Sequence, residues 1–329
     1  MLEYQIHEES MQYADEYQNE INNYNPDNKK CQDLISSLQN QTAELSYSWM
    51  KEMLKSPAHF LAYKLKEYTP PNDSMIFGSM VDCLITEPAN FHKNFVVISK
   101  TPSVGNQTIF ANAVIQGISI EDAFNLAYKR GKAEDIYEEL KDYIEAVKSN
   151  KTTTTLEKYN EAMEIAEKLK NNESVIVFLE QAKSFQEKSI LNYEGWKIKR
   201  FTDVKTIVDN YHITADLKLM SRLNPDFISN EVFKMNYDLQ GAIYTQDNMD
   251  LYINICYDEN GNIIISEYDQ STLSYGQDKL DYILRCIDEC CANPALFSQS
   301  YNFHDTFNEK LGIKTKTIYK PNYAKSYRN

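Results

Sequence analysis

Three side chains in this 329-residue sequence have the types and spacing for chemistry: Asp203, Asp216 and Lys218. The segment Tyr211-His-Ile-Thr-Ala-Asp-Leu-Lys-Leu219 alternates strictly. Tyr211, Ile213, Ala215, Leu217 and Leu219 share one face, and His212, Thr214, Asp216 and Lys218 share the other. A strand with this pattern aims Asp216 and Lys218 the same way while Leu217 anchors the core. Upstream, Trp196 to Val208 reads as a second strand, joined to the first by Asp209-Asn210. If those two residues make a tight hairpin turn, Val208 opposes Tyr211 and Asp203 falls opposite Asp216. Two carboxylates that close repel unless a cation lies between them or one is protonated. All-oxygen donors suit Mg²⁺ or Mn²⁺. Lys218 is then placed to orient or deprotonate a water, or to neutralise a phosphate, so the trio suits phosphodiester hydrolysis. The same pattern also fits a solvated sheet face with Lys as a surface partner, and one bulge would break the register.

Elements on either side must position these groups. Ser46 or Ser48 can cap a helix through Trp49, Met50, Met53 and Leu54, and Ser56-Pro57 opens another. Met75 to Thr86 is a third apolar helix, stopped at Glu87-Pro88. Residues 119–148 and 155–170 carry charged 3.6-period patterns, and Lys151-Thr-Thr-Thr-Thr155 separates them. From residue 185 the period falls to two. Phe185 to Tyr193, Trp196 to Val208, Tyr211 to Leu219, Leu251 to Tyr257 and Ile263 to Tyr268 read as strands, with a hairpin signal at Asn260-Gly261. Phe227 to Thr245 reads as one helix and Thr272 to Cys291 as a closing helix. This order gives an α/β (α+β) fold with a mixed sheet.

Charge and composition narrow the class. There are 48 acidic and 34 basic residues, a net charge of −14, with 42% hydrophobic and 25% charged residues. Those proportions describe a globular chain. Mean hydropathy is −0.56, no stretch is long and apolar enough to span a bilayer, and the first residues lack the pattern of a signal peptide. The expectation is a cytoplasmic protein without a membrane partner. The six cysteines show no disulfide framework. Residues 1–50 hold nine acids against two bases. Residues 309–329 hold Lys310, Lys314, Lys316, Lys320, Lys325 and Arg328 against Glu309, interleaved with Tyr319, Tyr323 and Tyr327. Such a tail can grip phosphates and stack on bases, or it is a solvated terminus.

Asp203, Asp216-Leu217-Lys218 and Gln240-Gly-Ala-Ile-Tyr244 together resemble the PD-(D/E)xK nuclease superfamily. More narrowly they resemble its exonuclease VIII-like branch of phage and prophage recombination exonucleases. Leu45-Ser-Tyr-Ser-Trp-Met50 with Lys55-Ser-Pro57 resembles the branch's N-terminal signature. Phe77-Gly-Ser-Met-Val-Asp-Cys-Leu-Ile-Thr-Glu-Pro88 resembles its Gly-Ser-x-x-His…Glu-Pro segment, and Tyr237 to Tyr244 its Gln-x-x-x-Tyr helix. The resemblance implies a restriction-endonuclease-like core with a mixed central sheet flanked by helices, plus helical N-terminal and middle segments. The expected organisation is an acidic arm over 1–44, a nuclease domain over 45–300 with a helical insertion at 118–170, and a basic Tyr/Lys tail over 301–329. It implies metal ligation by Asp203 and Asp216, with the Leu217 carbonyl and Asp82 as further ligands. Catalysis is implied for Asp203, Asp216, Lys218, Gln240 and Tyr244, and DNA contact for Gln240, Tyr244 and Arg200. Glu187 is a candidate outer acid. The implied activity is Mg²⁺-dependent (or Mn²⁺-dependent) digestion of linear double-stranded DNA from the 5′ end. A single-strand annealing protein is the implied partner and a homo-oligomeric ring the implied assembly, with Lys197, Lys199, Arg200 and Arg222 lining a locally basic channel.

The sequence departs from the branch in three places. Asp82 stands where the family usually has a metal-binding His. Leu219 replaces the Thr after the lysine, and Thr202 replaces the Pro before Asp203. Asp82 leaves open a catalytically degenerate DNA-binding or protein-interaction module, and the superfamily leaves open a structure-specific endonuclease. Asp203-Val-Lys205-Thr206 imitates the motif, but no acid precedes it at the right remove, and Lys218 lies at the better interval from Gln240. Related iron–sulfur nucleases direct attention to Cys31, Cys286, Cys290 and Cys291. Their C-x3-C-C spacing differs, and they continue the apolar stripe of the closing helix, which favours core packing.

Overall fold

The computed structural model describes residues 28–66, 72–103, 105–246 and 249–299, with a short antiparallel pair at Phe307–Asn308 and Ile313–Lys314. The acidic residues before 28 and nearly all of the basic tail lie outside the described residues.

Eight strands organise the described residues up to 299: β1 (Glu44–Ser46), β2 (Phe95–Ile98), β3 (Thr152–Thr155), β4 (Ala182–Tyr193), β5 (Trp196–Val208), β6 (Tyr211–Leu219), β7 (Leu251–Tyr257) and β8 (Ile263–Glu267). Six of them form a mixed sheet in the order β1-β5-β6-β7-β8, with β4 also paired to β5. Pairs β1/β5 and β6/β7 are parallel, and β4/β5, β5/β6 and β7/β8 are antiparallel. The turn between β5 and β6 is the two-residue hairpin expected: Asp209 and Asn210 hold φ of 49° and 69°, the left-handed pair that a twisted hairpin favours. Val208 pairs with Tyr211, and the register runs without a slip to Val204↔Ala215.

The side-chain alternation sorts the sheet into two cores. Ile213, Ala215 and Leu217, with Ile253, Ile255 and Tyr257, face the helices Asp73–Thr86 and Leu156–Lys170. Tyr252 and Cys256 face the opposite way, against Tyr47–Met53, Pro57–Leu65, Tyr237–Tyr244 and Gln270–Ala292. Both expected N-terminal caps form: Ser46 Oγ accepts from Trp49 N at 3.4 Å and Ser56 Oγ from His59 N at 3.2 Å. Trp49 then stacks on Phe60 at 4.6 Å and donates its indole N–H to the Phe60 carbonyl at 2.7 Å, locking these two helices together. The helix Lys29–Gln39 docks on the same core through Cys31 and Leu38. Cys286 and Cys290 are buried there too, and burial raises all three thiol pKa values.

Two local readings are corrected. The Thr run that separates two helices is itself a strand: β-branched Thr152–Thr155 forms β3, paired in parallel with Phe95–Ile98. The helix read over 227–245 is two helices, Pro225–Lys234 and Tyr237–Tyr244, because Asn236 turns left-handed at φ 61° between them. Lys279 holds that break, its ammonium 2.8 Å from Asn236 Oδ1 and 3.0 Å from Asp238 Oδ1. Helices Asn106–Ile115, Ile120–Ala127 and Ala133–Lys148 enclose a small core of their own around Phe110, Phe124, Leu140 and Ile144.

Candidate active site

The site is a fork in the sheet. One edge of β5 pairs with β4 along most of its length. The other edge pairs with β1 at 197–199 and with β6 at 204–208, leaving residues 200–203 between them. Backbone groups left without a ladder partner need another one. Side chains supply it: Phe201 N donates to the Tyr244 hydroxyl at 3.2 Å, and Leu217 N donates to Asp203 Oδ2 at 2.9 Å. The Asp203 carboxylate therefore bridges the diverging strands. Because the sheet is open here, helices on both faces reach one cavity of about 800 Å³. Asp82 enters from Asp73–Thr86, and Gln240 and Tyr244 from Tyr237–Tyr244.

Asp216, Lys218 and Asp203 all line that cavity, as do Leu217, Asp82, Gln240, Tyr244 and Arg200. Asp216 is 2% exposed. Its Oδ1 accepts from Gln240 Nε2 at 3.2 Å, and its Oδ2 is ion-paired with the Lys218 ammonium. Burial alone would lower the Lys218 pKa, but Asp216, Tyr237 and Asp203 more than offset it, so the amine is held cationic. Its ammonium also lies 4.8 Å from the Tyr237 ring centroid. Burial pushes Asp203 up to about 7, and the neighbouring Asp216 charge adds to this. Asp82 is likewise pushed well above the ordinary carboxylate range by burial, then by Asp203 and Asp216. It accepts from the Tyr257 hydroxyl at 3.3 Å. Burial pushes Tyr244 up to about 12, so its hydroxyl keeps its proton while accepting the Phe201 N–H.

Other sequence candidates fall elsewhere. Glu187 pairs with Lys205 and accepts from Ser184 Oγ at 2.6 Å, so its carboxylate is committed outside the cavity. Arg200 is buried, its Nε 3.1 Å from Ser189 Oγ. Lys199 lines the cavity and pairs with Glu44 at 2.7 Å. Lys197 and Arg222 are exposed and outside the lining. His59 is buried with its Nδ1 2.6 Å from Ser56 Oγ, and His212 is exposed. Gln186 is not among the residues that the sequence singles out. It interrupts the β4/β5 ladder between Phe185↔Val204 and Glu187↔Thr202, takes φ 49°, and donates its side-chain amide to Asp203 Oδ1 at 3.1 Å. Its place opposite Asp203 follows from the register, but its left-handed backbone does not.

Residues 46–256 match the model of a family described as a PDDEXK-like domain of unknown function (DUF3799). The chain belongs to that family. The matched span holds all the cavity-lining acids, Lys218, Gln240 and Tyr244. Membership in a PDDEXK-like family supports a nuclease, and nucleases of this kind usually use divalent metals. No curated protein matches the chain. Among solved structures, one from Eubacterium rectale is described as a putative exonuclease. It is 14% identical, with a TM-score of 0.44, covering 77% of this chain and 84% of that one. Another, SSO0001, is 12% identical with a TM-score of 0.24, covering 64% and 87%. At these values neither likeness bears on function.

The donor set of this PDDEXK-like site fits a hard divalent cation. Asp203 and Asp216 offer carboxylate oxygens, and the buried Gln240 Oε1 has no hydrogen-bond partner. The Lys218 ammonium already occupies the position of a cation against Asp216 Oδ2. Among the described residues no three His, Cys, Asp or Glu side chains form a group that could hold a metal ion. A pair of carboxylates completed by backbone, water or substrate oxygens is the manner in which Mg²⁺ is usually held.

The raised Asp203 pKa has a measurable consequence. An aspartate in the unfolded chain titrates at about 3.9, so the folded state holds an extra proton between there and about 7. That contribution to stability is fully present below the unfolded value and is lost as pH rises through about 7. In chelator, wild type should lose thermal stability relative to Asp203→Asn between pH 4 and pH 8. Parallel Tm–pH curves for the two proteins would contradict the coupling.

Proposed function

We propose that this chain is a Mg²⁺- or Mn²⁺-dependent deoxyribonuclease that degrades linear double-stranded DNA from its 5′ ends. The observation that carries the reading is the convergence of Asp203, Asp216 and Lys218 on one cavity wall where β6 leaves β5. Asp203 and Asp216 would hold the divalent ion, with the Leu217 carbonyl as a candidate further ligand. Asp82 lines the same cavity but does not group with the two as a third carboxylate ligand. The ion would supply charge for the phosphorane and lower the pKa of a bound water. Lys218 stays cationic beside Asp216, which suits it to orient that water or to neutralise a phosphate oxygen better than to remove a proton. Gln240 fixes the Asp216 carboxylate through its amide N–H. Tyr244 accepts from the backbone at Phe201, so its own O–H is left to donate toward a phosphate oxygen.

A local positive field reconciles DNA with a net charge of −14. Lys188, Lys199, Arg200 and Lys218 line the cavity. Burial lowers the pKa of Lys64, with Lys199 adding to the effect, and Lys218 acts likewise on Lys51. Both lysines thus lie within electrostatic range of cavity-lining residues, though neither lines the cavity itself. We place the activity in recombination or DNA processing in a cytoplasmic, phage-associated setting. A homo-oligomeric ring would be the assembly, and a single-strand annealing protein the partner.

End-labelled linear duplex and covalently closed circular duplex, each with Mg²⁺ or Mn²⁺, test the reading. The expected result is nucleotide release from the 5′ end of the linear substrate, none from the circle, and none with Asp216→Ala. Cutting of the circle would make the protein an endonuclease. No cleavage of either would leave a DNA-binding or protein-interaction module, the reading that Asp82 in place of the family His first raised.

A further inference from the structure

Two cavities meet at the acids. The one described above shares Asp82, Lys188, Phe201 and Asp203 with a second, of about 620 Å³, whose remaining lining is mostly polar, with Asn90, Lys93, Asn94, Gln186 and one further acid, Glu87, beside Cys83 and Phe95. The shared wall therefore carries two carboxylates, one lysine and one aromatic ring. The β4–β5 ribbon exposes Lys188, Ile190, Lys197 and Lys199 together with that ring, Phe201, which is 44% exposed. Phe201 pairs across the ribbon with Lys188, whose ammonium lies 5.1 Å from the ring centroid. Phe201 and Asp203 are two apart on one strand and touch both cavities.

Singly exposed apolar residues are common and need no explanation. Phe201 differs in its position. It forms part of the wall between the two cavities, beside the groups that would attack a phosphodiester, with a cation within reach of its face. An aromatic platform flanked by lysines is the chemistry that recognises an unpaired nucleobase and its phosphate, whatever the base. We infer that Phe201 stacks the nucleobase next to the scissile phosphate, Lys188 holds the flanking phosphate, and a single strand runs from one cavity past the acids into the other. The inference rests on the nuclease reading and adds to it the state of the substrate at the site: unpaired, with one base on the ring.

The test uses the full chain in Ca²⁺ with a fluorescein-labelled single-stranded oligodeoxynucleotide, and a second oligonucleotide carrying 2-aminopurine near its 5′ end. Phe201→Ala is expected to weaken binding about tenfold and to relieve the quenching of 2-aminopurine seen with wild type. Phe201→Trp should restore both. Phe201→Ala with unchanged affinity and unchanged quenching, in a preparation whose wild type binds the oligonucleotide and cleaves linear duplex in Mg²⁺, overturns the platform alone. Phe201→Trp behaving like Phe201→Ala also overturns it, since stacking would then not be what the site requires. Wild type that neither binds the oligonucleotide nor cleaves duplex overturns the platform and the nuclease reading together.

Discussion

Asp216→Ala should lower divalent-ion-dependent cleavage of linear DNA by about 10³-fold or more, and Lys218→Ala by about 10²–10³-fold, but for different reasons. Asp216 lines the cavity with one oxygen steadied by Gln240 and the other against Lys218. Removing it takes away a carboxylate that the ion needs and leaves the Lys218 ammonium in a low-dielectric site with Asp203 and Asp82 as the acids nearby. Breaking a buried ion pair costs about 3–5 kcal/mol by itself, so folding must be checked alongside activity. Asp216→Asn, which keeps shape and the acceptor for Gln240, is the companion variant. Lys218→Ala removes the cation that offsets the repulsion between Asp203 and Asp216, so a divalent ion should still bind, and with no ammonium to displace. Mn²⁺ titration followed by electron paramagnetic resonance separates the two. Asp216→Ala and Asp216→Asn should bind Mn²⁺ far more weakly than wild type, and Lys218→Ala at least as tightly. If Asp216→Asn bound Mn²⁺ like wild type, Asp216 would not be a ligand.

The second large effect lies away from the cavity. Gly276 sits where the helix Gln270–Ala292 crosses Tyr237–Tyr244. A Cβ there would lie 2.0 Å from the Asp238 carbonyl oxygen and 2.5 Å from its carbon. Backbone cannot yield as a flexible side chain does, so Gly276→Ala must push the two helices apart. The displaced helix carries Gln240 and Tyr244, and with it the Asp238–Lys279 pair at 2.8 Å. The expected cost is about 3 kcal/mol or more, seen as a fall in Tm of roughly 5 °C or more, with cleavage reduced as Gln240 leaves Asp216. Asp278→Ala, on the exposed side of the same helix, should change neither. A Gly276→Ala protein with wild-type Tm and activity would mean that the two helices can part without moving the site.

Much of the site was legible in the sequence because β geometry is periodic. The alternation over Tyr211–Leu219 placed Asp216 and Lys218 on one face, and the Asp209-Asn210 turn fixed the register as far as Val204↔Ala215. The expected pairing of Asp203 with Asp216 does not form, because β6 leaves β5 there and Asp203 reaches β6 through the Leu217 N–H instead. The four-residue interval from Gln240 to Tyr244 likewise put both on one side of a helix. Ser46, Ser56 and the Pro after Ser56 announced where the N-terminal helices start.

What the sequence could not disclose depends on contacts between distant segments. That β1 and β6 claim opposite ends of one β5 edge, leaving 200–203 to be satisfied by Tyr244 and Asp203, is a matter of which strands meet. The left-handed backbone at Gln186 is imposed by tertiary packing on a residue with no local preference for it, whereas Asn236 is of a type that adopts it readily. The elevated Asp203 and Asp82 arise from burial beside Asp216, and burial is a property of the assembled cavity. Local periodicity thus determined which groups point together, because side-chain direction is set by the backbone within a few residues. Only the folded chain decided how deeply they are buried, which donors reach them and that two cavities meet at their side, because dielectric environment and strand divergence depend on segments more than a hundred residues apart.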